Sequence, residues 1–226
     1  MKIKDWFLLE KQDLDKRIRT YPRFRILLLS ATILGFFVSI FWLWQKIFSP
    51  EIKLFDEWAV NFISQFRTPF LMKYFSLITH LGSGFFIIAA FLALATLLMI
   101  RKRKRAAIAA LFSLAGSAAL IFFLKDFFGR PRPFGCLAPD DCLSFPSGHA
   151  TLAFYFYGLL DYLIFRFLPV SLKKFLIISF LIVILIILIA LSRLFLGFHY
   201  SSDLLAGFFL GGSWLLLAIF LIDVLY

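Results

Sequence analysis

Residues 175–196 read Phe-Leu-Ile-Ile-Ser-Phe-Leu-Ile-Val-Ile-Leu-Ile-Ile-Leu-Ile-Ala-Leu-Ser-Arg-Leu-Phe-Leu, an apolar run broken only by Ser179, Ser192 and Arg193. A helix rising about 1.5 Å per residue needs about 20 such residues to cross the hydrocarbon core of a bilayer. Five further runs approach that length, so the chain is read as six spans at roughly 26–46, 76–100, 106–124, 148–168, 175–196 and 204–225. Composition agrees: 62 % of the 226 residues are apolar and only 16 % charged, too little polar surface to clothe a soluble globule. A soluble enzyme, a disordered tail and a free nucleic-acid binder are thereby excluded. The expected fold is an all-α, integral membrane six-helix bundle, with residues 1–25 as an N-terminal segment and 26–225 as the membrane domain.

The formal net charge of +11 is distributed as a topology signal rather than as a nucleic-acid footprint, because the cations sit at the ends of the apolar runs. Eight Lys and Arg precede the first span, five form the run Arg101 to Arg105, and Arg166, Lys173 and Lys174 fall on the same side. Positive residues near span ends stay in the cytoplasm. Both termini are therefore expected in the cytoplasm, and the loops after spans one, three and five on the periplasmic or extracellular face of the cell membrane. The first run shows no small-residue cleavage site and reads as an uncleaved span. Between spans one and two, Leu54, Phe55, Trp58, Phe62, Ile63 and Phe66 recur at helical spacing against Lys53, Asp56, Glu57, Asn61 and Gln65. This is an amphipathic helix, lying either in the outer interface or as a lid on the bundle.

Ionisable groups beside spans are costly and mark function. Three clusters fall on the outer face: Lys125-Asp126-Phe127-Phe128-Gly129-Arg130-Pro131-Arg132-Pro133, Pro146-Ser147-Gly148-His149, and Ser192-Arg193 with His199 and Asp203. Lys125, Arg132 and Arg193 bring three cations suited to a tetrahedral anion, which points to phosphate. Ser147 and Gly148 open a helix whose first N–H groups face the same anion. His199 and Asp203, four apart, share a helix face in this reading. Asp203 then accepts Nδ1–H of His199 and leaves Nε2 as a nucleophile, with His149 as the acid for the leaving group. Each group alone has a plainer reading: Lys125 or Arg132 as an interfacial anchor, Ser147-Gly148 as a helix start, His199 with Asp203 as a structural pair. Their convergence on one face is what carries the chemistry.

The patterns Lys-x6-Arg-Pro, Pro-Ser-Gly-His and Ser-Arg-x5-His-x3-Asp resemble, without departure, the three signature motifs of the type 2 phosphatidic acid phosphatase superfamily. That superfamily shares its core with vanadium haloperoxidases. The resemblance covers roughly residues 70–225. It implies that His199 attacks phosphorus, Asp203 orients it and His149 protonates the leaving group, while Lys125, Arg132, Ser147, Gly148 and Arg193 hold phosphate oxygens. It further implies a phosphatase acting on a lipid phosphate among membrane lipids, with no metal and no cofactor. Undecaprenyl diphosphate and phosphatidylglycerol phosphate stand ahead of phosphatidic acid and lipid A as substrates. A lipid phosphotransferase and a non-hydrolytic phospholipid-binding transporter are the rival readings.

Several residues stay outside that set. Arg130 is expected to contact a second phosphate or the head group. His80 reads as an interfacial hydrogen-bonding residue. Cys136 and Cys142 are equally consistent with a small disulfide and with two free thiols. Asp161 and Asp223 are expected to pair or stay hydrated at the inner ends of their spans.

Overall fold

The protein is described here from a computed structural model covering residues 45–136 and 142–225, with residues 27, 30, 34, 35, 38 and 41 described singly. The N-terminal segment 1–25, most of the expected first span and the loop aspartates Asp140 and Asp141 lie outside the described residues. The described chain is helical: α1 (Pro50–Ser64), α2 (Pro69–His80), α3 (Gly84–Ile100), α4 (Lys104–Phe128), α5 (Gly148–Phe167), α6 (Leu172–Phe195) and α7 (Ser201–Leu225). The starts follow from local sequence. Ser49, Thr68, Ser83 and Ser147 each sit in extended backbone and accept an N–H from the first turn of α1, α2, α3 and α5, and Pro50 and Pro69 occupy the first helical positions.

The fold is an all-α membrane bundle. Among the described residues, four helical stretches are long and apolar enough by themselves to cross a bilayer: Pro69–Ile100, Lys104–Phe128, Leu172–Phe195 and Ser201–Asp223. The span expected at 76–100 thus begins earlier, at Pro69, and is interrupted by a turn at residues 81–83. The span expected at 148–168 is the helix α5, and it occupies the middle of the bundle. Ala150, Ala153, Tyr155 and Leu159 are fully buried there. Its hydroxyls bind across helices, Tyr155 to the carbonyl of Ala110 on α4 and Tyr157 to the carbonyl of Leu81 at the turn, each at 3.0 Å. The outer helices instead expose Phe85, Phe112, Phe122 and Phe180, as lipid-facing surfaces do.

Glycines set the distance between α5 and α7. A Cβ added at Gly211 would stand 2.5 Å from the Thr151 carbonyl oxygen, and one at Gly207 would stand 2.8 Å from the Ala150 Cβ. Without a hydrophobic drive between helices in lipid, such close approach through small residues is what holds membrane helices together.

Helix α1 packs on the bundle with the opposite face from the one its aromatic stripe proposes. Asp56, Ala59 and Val60 are buried, whereas Leu54, Phe55, Trp58, Phe62 and Phe66 are exposed. The outward rings form a ladder, with centroid separations of 6.1, 5.6 and 5.2 Å along Phe55, Trp58, Phe62 and Phe66. At the other end of the bundle, Asp223 accepts from Tyr162 at 2.5 Å and lies 3.6 Å from Arg166 Nε, while Asp161 accepts from Ser179 at 2.8 Å.

Candidate active site

Three chain segments meet above α4, α5 and α6. The first leaves α4 through Gly129, whose φ of 57° supplies the left-handed C-cap. It then runs antiparallel to residues 142–144, with Ser144 N–H donating to Arg130 O at 2.8 Å and Arg132 N–H to Cys142 O at 3.2 Å. A disulfide between Cys136 and Cys142 closes this loop. The second segment is the start of α5, capped by Ser147, whose own N–H donates to Asp203 O at 3.1 Å. The third is the reversal between α6 and α7, where Gly197 takes a φ of 77°.

The sequence places His199 on the last helix, and the structure corrects this: α7 starts at Ser201, so His199 lies in the preceding loop. Left-handed Gly197 ends the α6 direction before His199 is reached. The pairing with Asp203 survives by another route. Asp203 Oδ2 accepts the Tyr200 N–H at 2.9 Å, as an acidic residue at the third helical position reaches back to the capping residue, and the same oxygen lies 3.5 Å from His199 Nδ1. His199 Nε2 faces Arg132 Nη1 at 3.3 Å. A guanidinium only donates, so Nε2 is the acceptor nitrogen and the proton belongs on Nδ1, facing Asp203. His199 is 2 % exposed. Burial pulls its imidazole down to about 4, Asp203 acting upward and Arg193 and Arg132 downward.

Neutral oxygens help to hold the cations in place. Lys125 Nζ donates to Leu143 O at 2.6 Å, Arg132 to Phe198 O at 2.9 Å, and Arg193 to Thr79 Oγ1 at 3.0 Å with its guanidinium over the Phe198 ring at 4.5 Å. Lys125, Arg132, Arg193, Gly148, His149 and His199 line one end of a cavity of about 630 Å³. Ile88, Leu111, Leu114, Ala115, Ala118, Ile121 and Phe122 form its apolar wall. A Cβ on Gly148 would meet only Ile121 within 4 Å, so the backbone of the α5 start fronts open space there. A cavity that is cationic at one end and apolar along its length fits an amphiphile with an anionic head. Ser147 and Asp203, fully buried behind this end, do not line it.

The family model for the PAP2 superfamily matches residues 106–224. The chain belongs to that superfamily. Phosphatidylglycerophosphatase B of Bacillus subtilis (strain 168) is 29 % identical over 146 residues, covering 64 % of this chain and 72 % of the relative. Among solved structures, the transmembrane PAP2 type phosphatidylglycerolphosphate phosphatase from Bacillus subtilis matches with a TM-score of 0.71 at 27 % identity, covering 85 % of this chain and 93 % of its own. LpxE of Aquifex aeolicus matches with a TM-score of 0.55 at 25 % identity, over 76 % of this chain and 95 % of its own. The protein is thus a multi-pass membrane PAP2 phosphatase acting on lipid phosphates.

The residues of the three motifs in this PAP2 chain gather at that cavity or directly behind it. Arg130, expected to contact a second phosphate or the head group, does not line it. Instead of reaching toward a ligand it is 7 % exposed, donates to Asp203 Oδ1 at 2.6 Å and Asp56 Oδ2 at 2.7 Å, and stacks 4.2 Å from the Tyr200 ring centroid. Two carboxylates claim it, and buried charge of this kind persists only when paired. Asp56 and Ser202 are the residues that sequence reasoning missed. Asp56 sits among the polar positions of an amphipathic helix, and nothing local marks it as buried. His80 is exposed and Ser83 Oγ donates to its carbonyl at 2.8 Å, away from the cavity lining.

Proposed function

We propose that the protein hydrolyses the phosphate monoester of phosphatidylglycerol phosphate, or the terminal phosphate of undecaprenyl diphosphate, through a phosphohistidine on His199. The observation that carries this reading is the cavity itself: three cations and the His199 Nε2 acceptor nitrogen at one end, an acyl-compatible wall along the rest. In the reaction, phosphate oxygens draw Arg132 from Nε2, and Lys125, Arg193 and the Gly148 N–H take the remaining charge. The Nε2 lone pair forms the N–P bond while the P–O bond to the lipid breaks. His149 gives its proton to the departing oxygen. Nδ1–H of His199 keeps its charge-bearing ring matched to Asp203. Water then attacks phosphorus, His149 takes back a proton, and orthophosphate leaves with the N–P electrons returned to Nε2.

Phosphatidylglycerol phosphate stands first because the similar Bacillus subtilis phosphatase carries that activity in its name. The distribution of Lys and Arg supports a topology with cytoplasmic termini and this cavity at the outer face of the cell membrane. The residues that bind the anion supply the charge that a divalent metal would otherwise bring. The test is phosphate release by the detergent-purified protein in EDTA from phosphatidylglycerol phosphate, undecaprenyl diphosphate, phosphatidic acid and lipid A, beside His199→Ala. Release that persists in EDTA and vanishes in the variant is expected, with phosphatidylglycerol phosphate fastest. Lipid binding without release, in the unaltered protein, would favour a transporter. Phosphate transfer to an added lipid acceptor at the expense of free phosphate would favour a phosphotransferase.

A further inference from the structure

We infer that Asp56, on a helix outside the residues matched by the family model, is a positioning residue for the reaction, acting through Arg130 and Ser202 on Asp203 and thereby on His199. The inference rests on the phosphohistidine reading above. Asp56 is 1 % exposed and reaches the first turn of α7 from α1. Its Oδ1 accepts the Ser202 N–H at 2.9 Å, and its Oδ2 accepts the Ser202 hydroxyl at 2.5 Å and Arg130 Nη2 at 2.7 Å. Arg130 Nη1 then donates to Ser202 Oγ at 2.8 Å and to Asp203 Oδ1 at 2.6 Å. A carboxylate from one helix thus fixes the N-terminus of another, where backbone N–H groups and the helix dipole favour an anion.

The consequence for Asp203 is geometric and electrostatic. Both its oxygens are assigned: Oδ1 to Arg130, and Oδ2 to the Tyr200 N–H and the His199 Nδ1 side. Arg130 is shared between two carboxylates, so Asp203 does not give it its whole charge and retains part for His199. Without the Asp56 charge, Arg130 turns fully to Asp203 and weakens that support. Asp56 does not line the cavity, so the effect falls on turnover and not on substrate binding. His199 is faced by Asp203 from α7, Arg193 from α6, Arg132 from the loop after α4, and, across the cavity end, His149 of α5 and Lys125 of α4. Asp56→Asn alters none of these five groups directly, which makes a change in the pH profile diagnostic of the relay.

The experiment compares His199→Ala, Asp56→Asn and Ser202→Ala in the full chain in detergent, with working sites counted by saturation with orthovanadate. Expected is a fall in kcat per site of about tenfold or more for Asp56→Asn and about threefold for Ser202→Ala. KM should stay within about twofold, and the acid limb of kcat/KM should move to lower pH in Asp56→Asn. Loss of sites without change in kcat per site, or an unmoved pH profile, would reduce Asp56 to a structural role and overturn the inference. Should Asp56→Asn yield no folded protein, Ser202→Ala decides: wild-type turnover overturns the inference, and reduced turnover at constant KM supports it. Activity surviving in His199→Ala would instead sink the phosphohistidine reading, and that outcome is separable from the others.

Discussion

His199 Nδ1 stands 3.5 Å from Asp203 Oδ2, and among the described residues no closer acceptor lies within hydrogen-bond reach of that nitrogen. The two are aligned but not drawn together, because the same Oδ2 is held by the Tyr200 N–H at 2.9 Å. Charge developing on the imidazole during attack is the event that shortens the contact, so the pairing is worth more in the transition state than at rest.

Asp203→Asn should therefore lower kcat by roughly 10²- to 10³-fold with little change in KM, since an amide keeps the shape while losing the charge. Steady-state phosphate release at saturating lipid measures this. A loss confined to KM would place Asp203 in binding and not in turnover.

The pH dependence follows from the burial of His199. Attack requires the neutral imidazole, and with burial pulling it down to about 4, protonation of the free enzyme disables the nucleophile only as pH falls toward that value. The His199 contribution to kcat/KM should thus be intact at pH 6 and decline below about pH 5. Asp203 acts upward on His199, so Asp203→Asn should move this acid limb further down. A profile already falling through pH 6.5 in the enzyme, with a substrate whose own phosphate ionisation is accounted for, would contradict the assignment.

Gly211 and Gly212 are adjacent but stand in different surroundings. A Cβ at Gly211 would meet the Thr151 carbonyl at 2.5 Å, while one at Gly212 would meet Phe154 Cε1 at 3.5 Å. Gly211→Ala should destabilise the bundle by about 1–3 kcal/mol through forced separation of α5 and α7, and Gly212→Ala should leave the unfolding midpoint in detergent nearly unchanged. Equal shifts for the two variants would argue against glycine-mediated packing here.

Ala118 lies on the apolar wall of the cavity. Ala118→Trp should cut kcat/KM for a long-chain lipid phosphate by about tenfold or more, while a short-chain soluble phosphate ester is affected by less than about twofold. Equal losses on both would show that the wall shapes the phosphate end instead of admitting the chains.

Much of the site was legible because phosphate chemistry needs particular side chains at particular spacings. Lys125, Arg132 and Arg193 announce an anion, and Pro146-Ser147-Gly148 announces the start of α5. Reading His199 onto the following helix failed because Gly197, with its positive φ, turns the chain first. Arg130 misled through its closeness to Arg132, since its two carboxylate partners arrive from 74 residues upstream and 73 downstream. Asp56 was hidden because the usual amphipathic pattern is inverted on α1: the aromatic face turns outward, and Ala59 and Val60 turn in with one carboxylate. The disulfide was left open by spacing alone, and is formed.

The central helix has a consequence for how the protein is made. Helix α5 carries His149, Asp161 and Arg166 and is not among the helices apolar enough to enter a bilayer unaided. Its polar groups find partners on α6 and α7, where Ser179 holds Asp161 and Asp223 meets Arg166, and both helices are synthesised after it. The seating of α5 in the bundle therefore leans on α6 and α7, which hold its polar groups. The working site is complete only once α7 has joined the bundle, because Asp203 stands in its first turn.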